Sequence, residues 1–222
     1  MLGIIFTGGQ APNASFVKQI IEKEAKNAFF TAADSGLSAA QEAGVKCDFI
    51  IGDMDSVEDS LLEEYPAEKV IRHAREKDYS DTELAMQAII EKGCTQIWII
   101  GGGGGRIDHL FAIRSLFERE IFPVRWLTGR EDIRCIEAES ANKYVNLNFP
   151  RGITVSVFPL SQGTWEADSR GLKWTLCGLS WDRGFYGLSN VTLEDEFSIT
   201  AVKGRFMIIL PHVCKKEELC QP

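Results

Sequence analysis

Apolar positions along the first 130 or so residues follow two periods in turn, short continuous runs and helical stripes. Gly3 to Thr7 is an unbroken apolar run, which predicts a buried strand. Asn13 to Lys26 then places Phe16, Val17, Ile20 and Ile21 on one helical face. Ala28 to Ala33 predicts a second strand, followed by a short helix through Leu37, Ala40 and Ala43 that Gly44 ends. Phe49 to Ile51, Lys69 to Arg72, Gln96 to Ile100 and Val124 to Leu127 predict four more strands. Between them, Ser80-Asp81-Thr82-Glu83 has capping-box spacing ahead of a helix that ends at Gly93, and Asp108 to Glu118 reads as another helix. Strands alternating with helices need crossover connections, so the expected fold is a mostly parallel, Rossmann-like sheet with helices on both faces.

The pattern changes near Arg130. Beyond it, period-two alternation predicts strands at Ile153 to Phe158, Val191 to Leu193, Phe197 to Val202 and Arg205 to Leu210, separated by glycines and with no long helix. The expected organisation is an α/β domain over residues 1–130 and a smaller antiparallel β-sandwich over 131–222.

Composition narrows the class. The 222 residues are 45% hydrophobic and 25% charged, near the globular norm, which disfavours disorder, collagen-like repeats and coiled coil. A net charge of −8 argues against a nucleic-acid backbone as the main partner, because that role needs a cationic surface. No apolar run approaches the ~20 residues that cross a bilayer, and the start Met1-Leu2-Gly3-Ile4 lacks a basic lead. The expectation is a cytoplasmic protein with no membrane partner. Six scattered cysteines show no C-x-x-C pair and no histidine at metal-ligand spacing, so they read as reduced thiols.

The chemistry lies in where the acids fall. Asp34 follows the second strand, Asp53 and Asp55 the third, Asp78 and Asp81 the fourth, and Asp108 the fifth. The carboxyl ends of parallel strands form the ligand crevice of an open α/β sheet, so acids distant in sequence should meet there. Asp53 and Asp55, two apart in an extended exit from a strand, should point the same way. Clustered carboxylates repel unless a hard cation sits among them, and Mg²⁺ suits such a set together with substrate phosphate oxygens. The run Gly101-Gly102-Gly103-Gly104-Gly105-Arg106 stands between a strand and a helix, where backbone N–H groups and the helix N-terminus favour an anion. It has neither a P-loop ending nor the dinucleotide spacing. Arg106 is placed to stabilise phosphate charge, Gly8-Gly9 is a second candidate cradle, and Lys77 and Arg75 are candidate phosphate contacts. His109 reads equally well as a base, an orienting group or a helix-start histidine; His73 and His212 show no constellation.

Taken in order, Asp34-Ser35-Gly36, Gly52-Asp53-Met54-Asp55-Ser56, Lys77-Asp78-Tyr79-Ser80-Asp81-Thr82-Glu83 and Gly104 with Arg106-Ile107-Asp108-His109 resemble the motifs of the thiamin pyrophosphokinase family. Gly171-Leu172-Lys173-Trp174 and Leu188-Ser189-Asn190 resemble that family's thiamin-side motifs. Thr175, where bacterial members commonly have proline, and Ser80, where threonine is frequent, depart from the pattern. The resemblance implies transfer of a pyrophosphoryl group from ATP to thiamin with release of AMP, in a homodimer whose thiamin pocket lies between subunits. It implies Mg²⁺ on Asp53, Asp55 and Asp81, with ATP held by Gly8, Gly9, Asp34, Ser35, Lys77, Gly102, Gly103, Gly104 and Arg106. Asp78 or Asp108 would act on the alcohol proton beside Arg106, and Trp174, Ser189 and Asn190 would hold thiamin. The residues by themselves support only a Mg²⁺-dependent enzyme acting on a phosphorylated nucleotide. A phosphohydrolase, a nucleotidyltransferase and a non-catalytic nucleotide-binding regulator are the alternative readings.

Overall fold

The computed structural model describes residues 1–182 and 184–212, and these fall into two compact units, Met1–Arg130 and a second beginning at Glu131. The first unit contains β1 (Leu2–Thr7), α1 (Ala14–Glu24), β2 (Phe29–Ala33), α2 (Gly36–Glu42), β3 (Phe49–Gly52) and α3 (Asp59–Leu62). It continues with a 3₁₀ turn (Ala67–Lys69), β4 (Val70–Arg72), α4 (Asp81–Glu91), β5 (Gln96–Gly101), α5 (Ile107–Leu116) and β6 (Pro123–Leu127). Its strands lie in the order β6-β5-β1-β2-β3-β4, and every pairing is parallel. The chain therefore runs outward from β1 to β4, then crosses back to lay β5 on the other side of β1. That reversal makes the β1/β5 boundary a topological switch point, the usual position of a ligand crevice.

Side-chain alternation splits the core across the sheet. Ile4, Phe6, Ala32, Ile50, Trp98 and Ile100 form one cluster with Val17, Ile20 and Ile21 of α1 and Leu37 and Ala40 of α2. Gly3, Ile5 and their neighbours face the opposite way, where α4 packs on β1, β2 and β3; a Cβ on Gly3 would stand 2.9 Å from Ile89 Cδ1. The helix ends match the sequence signals. Ser80 caps α4 in a full capping box with Glu83, and Gly44 and Gly93 take left-handed φ of 71° and 82° after α2 and α4.

The second unit holds β7 (Glu131–Glu137), β8 (Tyr144–Asn148), β9 (Thr154–Leu160), β10 (Glu166–Arg170), β11 (Gly187–Val191), β12 (Glu196–Lys203) and β13 (Arg205–Pro211). Two antiparallel layers, β11-β9-β13-β7 and β10-β12-β8, enclose a core that includes Phe149, Val157, Trp181, Phe197, Ile199 and Phe206. Three of these strands escape the period-two reading. β7 interrupts its apolar positions with Asp132 and Arg134, while β8 and β10 are short, largely polar edge strands. The strand expected at Val191 to Leu193 instead spans Gly187–Val191 and carries an irregularity between Gly187 and Asn190. Four cysteines, Cys47, Cys94, Cys135 and Cys177, are free thiols, and only Cys177 is exposed; Cys214 and Cys220 lie outside the described residues. No helix of the described residues is long and apolar enough to cross a membrane.

Candidate active site

A cleft of about 640 Å³ opens at the carboxyl ends of the parallel strands. Its walls include Gly8 and Gly9 after β1, Asp34 and Ser35 after β2, Asp53 after β3, Lys77, Asp78 and Asp81 before and within the start of α4, and Gly102, Gly104, Arg106 and His109 around the start of α5. Acids from separate stretches do converge here. One carboxylate oxygen from each of Asp34, Asp53 and Asp55 lies within 4.8 Å of the others. Asp81, expected beside Asp53 and Asp55, instead engages Lys77 Nζ in an ion pair at 2.8 Å. It remains close to the trio, since a Cβ on Gly52 would meet both Asp34 Cβ at 3.1 Å and Asp81 Oδ1 at 3.2 Å.

The local backbone explains the convergence, and it differs from the extended exit expected for Asp53 and Asp55. Met54 adopts a left-handed φ of 65° and buries its side chain in the core cluster, while the Asp55 N–H turns back to donate to Asp53 Oδ1 at 3.1 Å. A buried anchor and an Asx turn thus swing the two flanking carboxylates together. Asp34 is also left-handed, at φ 48°. Its N–H is held by Ile51 O at 2.9 Å, and its Oδ2 accepts a hydrogen bond from Ser56 Oγ, a residue in the sequence motif to which no role had been attached. Left-handed geometry is uncommon for a residue with a side chain, and two instances in one carboxylate cluster mark strain held for a purpose. Asp34 Oδ1 is buried and accepts no hydrogen bond from the described residues. Three hard oxygen donors, one of them orphaned, are a fitting donor set for Mg²⁺.

Charge in the cleft is only partly offset. The hydrogen bond from the Asp55 N–H is the main reason Asp53 titrates below the usual carboxylate range, and Lys77 and Arg75 add to the effect. Arg75 stands 3.4 Å from Asp55 at the rim. Asp108 lies outside the cleft lining, and its carboxylate is occupied. Arg106 donates to it through Nε at 3.1 Å and Nη2 at 2.5 Å, and the His109 N–H donates at 3.0 Å. The Arg106 guanidinium holds the Asp108 carboxyl below its ordinary range, and Asp108 in turn raises Arg106. Asp78 lines the cleft, exposed, and makes no such pairing among the described residues.

The glycine run serves a different purpose along its length. Gly102 N–H donates to Gly8 O at 2.9 Å, while Gly103 and Gln10 exchange backbone hydrogen bonds at 3.1 and 2.6 Å. A Cβ on Gly101 or Gly102 would overlap Thr7 O or Ile113 Cδ1, and one on Gly103 would stand 2.8 Å from Thr128 Cβ. The first three glycines therefore clasp the loops after β1 and β5 together, and their N–H groups are not aimed at a ligand as the sequence suggested. The N–H groups of Gly104 and Gly105 find no protein acceptor among the described residues, and α5 has no side-chain cap. By contrast, the N-terminus of α4 is closed by Ser80 and Glu83. The uncapped start of α5, preceded by two unpaired amides and flanked by Arg106, is the anion-receptive corner of the cleft. Thr7, which lies outside the motifs, and Thr82 within one of them join the end of β1 to the start of α4 through a buried 2.6 Å hydroxyl hydrogen bond.

In the second unit, Trp174 is 53% exposed, yet its backbone is bolted down. The carboxamide of Asn190, 5% exposed, accepts from Trp174 N–H at 3.1 Å and donates to Trp174 O at 2.6 Å. Ser189 sits beside it with a left-handed φ of 58°, its N–H donated to Ser156 Oγ at 3.2 Å. The structure thus brings Trp174, Ser189 and Asn190 together around β11, with Trp174 and Ser189 exposed and Asn190 buried beneath them.

Residues 21–123 match the family model described as thiamin pyrophosphokinase, catalytic domain. No curated protein sequence matches the chain significantly. Among solved structures, a thiamine pyrophosphokinase from Bacillus subtilis superposes with a TM-score of 0.75 at 21% identity, over 96% of this chain and 99% of that one. A thiamin pyrophosphokinase family protein from Enterococcus faecalis gives 0.74 at 22% identity over 96% and 99%. The thiamin pyrophosphokinase of Candida albicans gives 0.70 at 16% identity over 95% and 90%. Over residues 21–123 the chain is thus similar in sequence to the thiamin pyrophosphokinase catalytic domain, and over nearly its whole length it shares the fold of these solved structures.

Proposed function

We propose that this protein is a thiamin pyrophosphokinase, moving a pyrophosphoryl group from ATP to thiamin to give thiamin diphosphate and AMP. The observation that carries the reading is that the segment matching the catalytic-domain model contains Asp34, Asp53, Gly102, Gly104, Gly105 and Arg106, which line one cleft, and Asp55, which completes the carboxylate trio at its edge. Asp34, Asp53 and Asp55 would hold Mg²⁺, with Asp81 next to them, and the ion supplies neutralising charge to a bound triphosphate. Gly104, Gly105, the start of α5 and Arg106 bind phosphate oxygens, and Lys77 reaches the same space. Gly8, Gly9 and Ser35 border the nucleotide, while Gly102 and Gly103 contribute by fixing the loop.

The thiamin hydroxyl oxygen attacks the β-phosphorus. The bond from that phosphorus to the α–β bridging oxygen breaks, and AMP leaves with the electron pair. Such transfer is chiefly positioning and electrostatics. Of the two candidate bases, Asp78 is the better placed to take the alcohol proton, because both Asp108 oxygens are already engaged. Asp108 then holds Arg106 in place. Trp174 provides the face for a cationic aromatic substrate, with Ser189 and Asn190 beside it.

The reading carries with it a cytoplasmic homodimer whose thiamin pocket lies between subunits, with ATP and thiamin as its partners and neither nucleic acid nor membrane. The half-exposed Trp174, and Ile107 and Phe111 two-thirds exposed one turn apart on α5, are apolar surfaces that such an assembly would cover. The test is incubation with ATP, Mg²⁺ and thiamin followed by separation of the products. AMP should form only when thiamin is present, in step with thiamin diphosphate. Equal nucleotide breakdown without thiamin would point to a hydrolase, and binding without turnover to a regulator.

A further inference from the structure

Trp174 has a fixed backbone and a half-exposed ring, but the ring is not bare. Lys173 Nζ lies over it, 4.5 Å from the ring centroid. Both residues have fixed backbones: Lys173 N–H donates to Val191 O at 2.8 Å, and Trp174 is clamped by Asn190. Among the described residues no carboxylate pairs with the Lys173 ammonium, so the ring is the partner that holds it. A cation over an indole face is attracted by the ring quadrupole, and one ring face accommodates one cation. The chain therefore supplies a tethered occupant for the surface that a cationic aromatic substrate needs.

We infer that Lys173 is a specificity-determining placeholder: its ammonium lies over one face of the half-exposed Trp174 ring and must be displaced when a cationic substrate stacks on that face. This rests on the assignment of Trp174 to the thiamin pocket and deepens it. Displacement weakens binding in two ways, by removing the intramolecular contact and by leaving two cations side by side. The affinity for thiamin is then set below what the aromatic face alone would give. A lysine that merely supported the fold, or that contacted the substrate favourably, predicts the opposite sign.

The experiment is equilibrium calorimetry of thiamin binding to the full chain, to Lys173→Met, to Lys173→Arg, to Trp174→Ala and to the Lys173→Met, Trp174→Ala double variant. Methionine keeps the length and removes the charge. The strength of an exposed cation–π contact converts to a thiamin Kd about two- to fivefold tighter in Lys173→Met. Lys173→Arg should bind like the parent, because a guanidinium also covers the ring, and the gain should vanish in the Trp174→Ala background. An unchanged or weaker Kd in Lys173→Met, or an equal gain without Trp174, overturns the inference. If Trp174→Ala itself leaves thiamin affinity intact, the pocket assignment fails first and the inference falls with it.

Discussion

Replacing Asp34 with Asn separates the two roles an acid can play at this position. Asn tolerates the left-handed backbone that Asp34 adopts and can still accept from Ser56, so shape and local bonding are retained while one negative charge is removed. Asp34 faces two other carboxylates within 4.8 Å. At that separation the repulsion from each neighbour is about 0.9 kcal/mol at the dielectric constant of water and about 3.5 kcal/mol at an effective value of ~20. Lys77 and Arg75 offset part of it, which leaves an expected net gain on removal of about 1 kcal/mol, or a rise in unfolding temperature of about 2–4 °C for a chain this size. The measurement is thermal unfolding at pH 7.5 and low ionic strength, first in chelator and then with millimolar MgCl₂. Without metal, Asp34→Asn should be the more stable protein; with metal, the parent should gain and the variant should gain much less. Turnover should fall by more than ~10²-fold. If the variant is destabilised in chelator, or if Mg²⁺ stabilises both proteins equally, Asp34 is a structural acid and the trio is not a cation site.

Three further outcomes are expected. Asp78→Asn should chiefly lower kcat, whereas Asp108→Asn should chiefly raise the KM for ATP by releasing Arg106; the reverse pattern would exchange their roles. Gly36→Ala should cost about 1–3 kcal/mol in denaturant unfolding, because a Cβ there would overlap Phe6 O and push α2 off β1; an unchanged midpoint would contradict the packing. Glu83→Gln keeps the capping box but removes the charge that faces Arg119 and the N-terminus of α4, and should cost about 0.5–1 kcal/mol at pH 7. Burial alone would raise the Glu83 carboxyl, but hydrogen bonds from Ser80 and the Arg119 guanidinium outweigh it and hold Glu83 below its ordinary value. Its contribution is thus full above the unfolded carboxyl range and fades as pH falls through the lower folded value, so the two proteins should converge in stability only under acid conditions.

The elements that sequence displayed openly are those whose signal is local. Ser80 and Glu83 are three residues apart and cap α4 by themselves, Gly44 and Gly93 sit where their helices stop, and the apolar runs of β1, β2, β3 and β5 are buried on both faces of a parallel sheet. The strands that stayed hidden are those whose residues are mostly polar because one side faces water, as in β8 and β10 at the edges of a layer. Within the site, the topological rule was enough to bring Asp34, Asp53 and Asp55 together. It could not show that Asp81 would be held by Lys77, since that depends on the path between β4 and α4. Nor could the glycine run reveal its division of labour. Gly101 and Gly102 are small because Thr7 and Ile113 press against them, and neither contact is adjacent in the chain.

Met54 links two properties that are ordinarily tuned apart. Its side chain belongs to the hydrophobic interior, yet its backbone sets the spacing of the carboxylates on either side. A change of volume at this one buried position would therefore register at the surface as a change in the separation of Asp53 and Asp55, although the altered atoms never touch either carboxylate.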